Sequence, residues 1–283
     1  MNQTTGLGLR FWGVRGSVAT PKQENLGYGG NTSCVEIRGG SGEIAIFDAG
    51  TGLRNLGEEL LRQFPGRKIK VNIFLTHYHW DHIQGVPFFG PLFQEGTEIT
   101  FHASEKLGPL RDRLRRQMSA PYFPVDFDTV AARLQFVEMD GAGVQAGDLR
   151  VSCFAMNHPQ GCLGFRVETK DGVLVYATDN EPGDAEFDKG VRKLADGADI
   201  LIYDAQYLPE DYAARRRGWG HSHWREAAAV ARDARVKELI LFHHDPSHDD
   251  RTMSRIEDAA RGLFERTSAA REIIAPSAGG PAR

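Results

Sequence analysis

Cysteine is scarce in this chain: Cys34, Cys153 and Cys162 are the only three in 283 residues, an odd number with no Cys-x-x-Cys spacing. That excludes a disulfide framework and a thiolate zinc site, and it suits a reducing compartment. Long apolar runs are missing as well. No stretch approaches the ~18 apolar residues of a membrane helix, and Met1 to Arg10 has no basic segment leading into an apolar one. The chain therefore reads as cytoplasmic, with no membrane partner. Positive charge is not in excess either. The 34 Lys and Arg stand against 38 Asp and Glu, a formal net charge of −4, which argues against a protein whose main task is gripping polyanions such as RNA. No repeat and no Pro/Gly/Ser-rich linker divides the chain. We expect one domain over residues 1–274 and a tail at 275–283 whose Gly, Pro, Ala and Ser content cannot support packing.

What remains is an ordinary globular composition, 41% hydrophobic and 25% charged, long enough to bury a sizeable core without staples. Apolar and alternating runs predict strands at 9–14, 33–38, 43–48, 70–76 and 98–102, and again at 149–155, 164–168, 173–178, 199–204 and 238–242. Helical periodicity appears at Leu53 to Phe64, with Leu56, Leu60 and Phe64 on one face, and at 222–235 behind a Ser222 cap. A further helix is expected at 251–266. Turn chemistry at Gly39 to Gly42 and at Lys170-Asp171-Gly172 joins neighbouring strands as hairpins. Hairpins mixed with strand-helix units argue for an α/β protein with mixed sheets. The stretch Lys106 to Phe127, carrying Pro109, Pro121 and Pro124, reads as irregular and is a candidate lid.

The chemistry concentrates at Thr76-His77-Tyr78-His79-Trp80-Asp81-His82, directly after the apolar strand that ends at Leu75. Three histidines and an aspartate at a strand's C-terminal end can converge on one point, and imidazole with carboxylate suits Zn²⁺ or a similar cation. Single residues of the same kind follow other strands: His158, Asp179 and His243. Seven ligands are too many for one tetrahedral ion and suffice for two with one carboxylate shared.

This pattern, His-x-His-x-Asp-His followed by a distant His, an Asp and a last His, resembles the metallo-β-lactamase fold superfamily. It is most similar to the phosphodiesterase branch that includes ribonuclease Z and cyclic-nucleotide phosphodiesterases. Phe47-Asp48-Ala49-Gly50-Thr51-Gly52 looks like that branch's glycine loop, and Asn157-His158-Pro159, Tyr176-Ala177-Thr178-Asp179 and Leu239 to His243 look like its later motifs. The resemblance runs from Gly13 to about Asp245. It implies an αββα sandwich of two mixed β-sheets flanked by helices, with two metals at one edge. Carried over residue by residue, His77, His79 and His158 hold one metal, Asp81, His82 and His243 the other, and Asp179 bridges them. Asp81, His221 and Asp204 are the implied catalytic residues: a metal-bridging hydroxide attacks, His221 protonates the leaving group, and Asp204 orients His221. Ribonuclease Z more often has Glu where Asp204 stands, so the arm is shorter here. The implied cofactors are two divalent ions, zinc first, with manganese or iron compatible with the same ligands. Dimerisation is common in the resembled family.

Other residues read less sharply. His244 neighbours His243, but the side chain after a strand's last inward residue points elsewhere. His248 with Asp245, Asp249 and Asp250 suits a polar loop capping a helix, and His102 suits a satisfied core position. His223 reaches the site mouth or sits on a surface helix. Asp48 fixes the tautomer of a ligand histidine or braces the glycine loop. Arg215-Arg216-Arg217 and the cluster Arg111, Arg113, Arg115 and Arg116 attract an anion or sit on solvated helix faces. Tyr122, Phe123 and Trp219 offer nucleobase platforms or packing contacts. The leading functional expectation is a binuclear metal hydrolase cleaving small phosphodiesters such as cyclic nucleotides. Its competitors are a tRNA 3′-end nuclease, disfavoured by the lack of the long basic arm with which ribonuclease Z holds tRNA, an acyl hydrolase such as a lactonase or thioesterase, and a non-catalytic metal-bound sensor.

Overall fold

The computed structural model describes residues 8–139 and 143–272; the expected tail at 275–283 lies outside them. The first sheet comprises β1 (Gly8–Gly13), β2 (Cys34–Arg38), β3 (Ile44–Phe47), β4 (Lys70–Phe74), β5 (Glu98–Ala103) and β6 (Arg133–Glu138), in that spatial order. β1, β2 and β3 pair antiparallel, whereas β3 through β6 pair parallel. The second sheet runs in the order β13 (Thr267–Ala269), β12 (Glu238–Phe242), β11 (Ile200–Asp204), β10 (Gly172–Ala177), β9 (Cys162–Thr169), β8 (Leu149–Met156) and β7 (Val144–Ala146). It is parallel from β10 to β13 and antiparallel from β7 to β10. Two mixed sheets flanked by helices are thus an αββα sandwich.

The alternation of side chains along each strand builds three apolar layers. In β3, Ala45 and Phe47 face the seam between the sheets, where Phe47 meets Phe74 and Phe165. Its neighbours Ile44 and Ile46 face the opposite way, against Leu53, Leu56 and Leu60 of α1 (Gly52–Gln63). In β12, Ile240 and Phe242 join the seam, while Leu239 and Leu241 pack towards the helices of the second face. These helices are α4 (Ala185–Ala195), α6 (Trp224–Asp233) and α7 (Asp250–Arg261); α2 (Trp80–Ile83), α3 (Leu110–Gln117) and the single turn α5 (Pro209–Asp211) complete the set. Strands buried on both faces read as continuous apolar runs, which is how β10 to β12 appear in sequence.

The structure corrects several expectations. The cap of α6 is His223, whose Nδ1 accepts the Glu226 N–H, rather than Ser222. The helix expected at 251–266 stops at Arg261, before Gly262. Within residues 106–127 the Arg111 to Arg116 cluster does lie on a helix, α3, which buries Leu110, Leu114 and Gln117. β7 and β13 are three residues each, too short to show a period. α4 was hidden by Gly190 at its centre; a Cβ there would lie 2.0 Å from the Phe154 ring, so the glycine permits the helix to close on β8. β6 was simply missed.

Candidate metal centre

Loops at the C-terminal ends of β3, β4, β10, β11 and β12, together with the β8–β9 loop, meet at one edge of the sandwich. The backbone there is under strain. Asp48 and His243 directly follow the last residue of a strand and Asp179 stands two past one, and each is held in the left-handed region, at φ of 61°, 62° and 57° respectively. Ser17 and Gln160, which touch the same site, both adopt φ 63°. Each such non-glycine residue costs on the order of 1–3 kcal/mol, which the packed sheets beneath must supply. The turn lets each side chain leave the strand direction and point into the cluster.

The seven metal-type residues expected from the sequence are all brought together. His79 Nδ1 and His158 Nε2 face each other at 3.1 Å, and their rings surround His77. Asp81 Oδ2 lies 3.3 Å from both His82 Nε2 and His243 Nε2, which are themselves 3.2 Å apart. The Asp179 carboxylate stands between these groups. Its Oδ1 is 3.9 Å from His77 Nε2 and 3.8 Å from His158 Nε2, and its Oδ2 is 3.3 Å from His82 Nε2 and 3.4 Å from His243 Nε2. One carboxylate oxygen per group is the arrangement a bridging ligand needs.

The donors fit divalent cations. His77 Nε2 is buried without a hydrogen-bond partner among the described residues, and ring nitrogens of neighbouring histidines face one another at 3.1 to 3.2 Å. A buried polar atom is seldom left so unless something binds it. The electrostatics agree. Burial is the main cause holding His77 well below the usual imidazole range, with His82 adding to it, so His77 is neutral and able to donate its lone pair. For Asp179 burial alone would raise the carboxyl, but His243 and His82 outweigh it and keep the group ionised. Burial opposes the charging of His82 and His243 too, yet the carboxylates, Asp179 foremost, raise both. The same carboxylate field attracts a divalent ion.

A second layer of contacts aims the ligands. Asp48, fully buried, accepts from Thr76 N–H, Thr76 Oγ1, Tyr176 OH and, at 2.8 Å, His82 Nδ1. His82 is thereby turned so that Nε2 faces inward. Gln206 Oε1 accepts from His243 Nδ1 at 2.9 Å, the Gly220 carbonyl from His158 Nδ1 at 2.8 Å, and the Ser17 N–H donates to Asp81 Oδ2 at 2.7 Å. Glu181 anchors the glycine turn by accepting from Gly218 and Gly220 N–H. Gln206, Tyr176, Glu181 and Gln160 were not singled out in the sequence. Only the Gly218 and Gly220 pair signalled a special turn there.

His221 and Asp204 sit beside the cluster. His221 Nδ1 donates to Asp204 Oδ2 at 2.9 Å and lies 3.7 Å from Asp179 Oδ1. Asp204 is fully buried and also accepts from the N–H groups of Asp179, Gln206 and Ser222. The weaker signals sort themselves out. His244 turns away and its Nε2 reaches the Ala270 carbonyl. His102 stacks on Phe74 at 4.3 Å and bonds Asn72. His248 lies before the Asp249 cap of α7. Arg215 pairs with Asp211, Arg216 lies over Trp219, and Arg217 over Tyr212. Arg111 and Arg115 pair with Asp128, whereas Arg113 and Arg116 line a cleft of about 580 Å³ that opens beside His77 and His79.

A fold of two helix-flanked mixed sheets with a His/Asp cage at the strand ends defines a class of metal-dependent hydrolases. The Beta-lactamase superfamily domain profile matches residues 45–244, and the chain belongs to that family. It is 27% identical to ribonuclease Z of Streptococcus suis (strain 98HAH33) over 283 aligned positions, covering 82% of this chain and 88% of that one. Among solved structures it resembles a diphosphatase from the PhnP family, with a TM-score of 0.68 at 18% identity, over 94% of this chain and 95% of that one. It is similar also to Zn²⁺-bound PqqB from Methylobacterium extorquens, with a TM-score of 0.69 at 14% identity, over 93% and 97%. No described helix is long and apolar enough to cross a membrane.

Proposed function

We propose that this protein is a phosphodiesterase acting on small phosphodiesters such as cyclic nucleotides, with two divalent cations, zinc first and manganese or iron as alternatives. The observation that carries this reading is the His221–Asp204 pair set directly against a double cage with one shared carboxylate. His77, His79 and His158 would hold one cation and Asp81, His82 and His243 the other, with the Asp179 carboxylate between the two groups. When bound, such a pair of cations activates water near neutral pH and neutralises the charge of the phosphodiester oxygens.

The remaining steps belong to side chains. An alkoxide is a poor leaving group until protonated, and His221 is placed to supply that proton. Its Nδ1–H is committed to Asp204, which fixes the tautomer and leaves Nε2 for the transferable proton. Asp204 cannot swing away, because three backbone N–H groups hold the same carboxylate. Ser17 N–H fixes Asp81 and Asp48 fixes His82, so the cage is stiff before substrate arrives.

Hydrolysis of bis(p-nitrophenyl) phosphate by protein as purified, stripped of metal, and reloaded with Zn²⁺ or Mn²⁺ tests the reading. Turnover lost on stripping and regained on reloading supports it, and no turnover from the metal-loaded protein refutes it. A second reading, cleavage at the 3′ end of tRNA precursors, is favoured by the similarity to ribonuclease Z over 82% of the chain. The formal net charge of −4 weighs against it. Cleavage of a tRNA precursor faster than any cyclic nucleotide would reverse the order.

A further inference from the structure

The cleft of about 580 Å³ beside the cage has a one-sided polar lining. With Nδ1 turned towards His158, His79 donates its Nε2–H to Gln160 Oε1 at 2.7 Å. The amide oxygen is thereby spent, and Gln160 can offer the cleft only its Nε2 hydrogens. Arg113 and Arg116 line the same space, three residues apart and so on one side of α3. Neither makes an ion pair with a described residue, whereas Arg111 and Arg115 share Asp128. All three of these lining side chains are exposed and within a ligand's reach. The Tyr78 hydroxyl and Gln117 Oε1 border the cleft as well, but both atoms are buried and out of reach. Among the described residues no carboxylate lines the cleft, and its other walls include the apolar side chains of Ile83 and Leu107.

This lining calls for an anion. Two guanidinium groups and an amide NH₂ only donate, and of the other reachable side chains outside the cage only the Tyr122 hydroxyl can accept. Guanidinium charge without a carboxylate partner also draws anions to this face of a chain whose formal net charge is −4. A phosphate monoester matches so many donors better than a carboxylate does, because it brings three terminal oxygens and a charge of about −1.5 to −2 at neutral pH. The apolar walls suit a carbon skeleton that joins such a phosphate to a diester at the cage. The cleft volume lies within the range of small-ligand pockets.

We propose that this cleft is a subsite for a second phosphate of the substrate, held by Arg113, Arg116 and the Gln160 Nε2–H groups while the diester lies at the cage. The proposal rests on the phosphodiesterase reading and narrows its substrates to phosphodiesters that carry a separate phosphate monoester. Gln160 joins the two halves, since the amide that meets this phosphate also fixes the His79 ring. Hydrolysis of a cyclic diester of this kind breaks one P–O bond, adds the elements of water across it and leaves a bisphosphate. Bisphosphates are therefore product-like probes of the subsite.

Calorimetric affinities of the metal-loaded full chain, bisphosphate against monophosphate, test this. One set is thymidine 3′,5′-bisphosphate with the 3′- and 5′-monophosphates. The other is hexane-1,6-diyl bisphosphate, whose chain adapts to the span, with hexyl phosphate. A ligand with two phosphates to offer the cage gains a statistical doubling. The subsite should raise the gain to roughly 10-fold or more, and added salt should reduce it because the guanidinium groups face solvent. Arg113→Met combined with Arg116→Met should return the gain to the doubling, whereas Arg111→Met, which removes a paired charge from the same helix, should not. No gain beyond the doubling for either bisphosphate overturns the proposal, and so does a gain that survives the double variant. Should that variant fail to fold, the two single variants decide, since each should shrink the gain. Bis(p-nitrophenyl) phosphate has no second phosphate, so its turnover separates the two failures. Turnover with no bisphosphate gain removes the subsite alone, and the gain without turnover keeps the subsite and removes the phosphodiesterase reading.

Discussion

Replacing Asp204 by Asn interrogates the proposed acid more sharply than deleting His221, because shape is kept and only acceptor capacity changes. Asp204 Oδ1 accepts from Gln206 and Ser222 N–H, and Oδ2 from His221 Nδ1 and Asp179 N–H, at 2.9 to 3.1 Å. Asparagine has one oxygen for these two pairs. If the oxygen serves the first pair, the amide NH₂ opposes the Asp179 N–H and leaves it buried and unpaired, at a cost of about 1–3 kcal/mol. His221 must then give up donating from Nδ1, and the carboxylate that would stabilise its charged form is gone. Losing a positioned general acid slows a reaction by roughly 10²–10⁴-fold. The loss should depend on the leaving group. A p-nitrophenolate needs little protonation, so kcat for bis(p-nitrophenyl) phosphate should fall far less than kcat for a methyl or ribosyl ester. Measuring kcat for both esters in Asp204→Asn, His221→Ala and the double variant checks the argument, and the double should be no worse than His221→Ala because the two residues act as one unit. Equal losses on both esters, or additive losses in the double variant, would refute the role assigned to the pair.

Other expectations follow from the same geometry. Asp179→Ala should abolish binding of two metals, by inductively coupled plasma mass spectrometry of dialysed protein, because both His groups lose their shared carboxylate; two full equivalents retained would refute the bridge. Gly220→Ala should weaken metal binding by roughly 10- to 100-fold, because its backbone sits at φ +84 and the added Cβ would lie 2.3 Å from His158 Nδ1; competition with a chelator reads this out. His102 should make the protein acid-sensitive. Burial lowers its pKa to about 4, so between the unfolded value near 6.5 and that value the unfolded chain binds a proton that the native one refuses. Stability is therefore full above about pH 6.5 and falls as pH drops towards 4, by up to about 3 kcal/mol from this residue. Chemical denaturation at pH 7 and pH 5 should show a smaller pH effect in His102→Gln, and an unchanged one would count against the burial argument.

The layered architecture was legible because burial on both faces forces continuous apolar strands, and β10, β11 and β12 carry that pattern openly. Residues 77 to 82 were equally plain, since three imidazoles and a carboxylate at a strand end have few other uses. Less visible were elements whose reason lies elsewhere in the chain. α4 tolerates Gly190 only because Phe154 lies against it, and His223 rather than Ser222 caps α6 because its ring nitrogen reaches Glu226 N–H. Gln206, in the loop after β11, and Tyr176, in β10, brace His243 and Asp48 from positions distant in sequence, and no local pattern announces such contacts. The left-handed turns at Asp48, Asp179 and His243 were hidden for a related reason. They violate local preference, and only the sheets around them make such conformations tolerable.

Two cations held through one shared carboxylate are proposed to make this chain a phosphodiesterase. The most direct test is to titrate the metal-stripped protein with Zn²⁺ or Mn²⁺ while following bis(p-nitrophenyl) phosphate hydrolysis. Turnover that climbs to its plateau at two equivalents per chain is the predicted result. A plateau at one equivalent, or two bound equivalents with no hydrolysis, would contradict it.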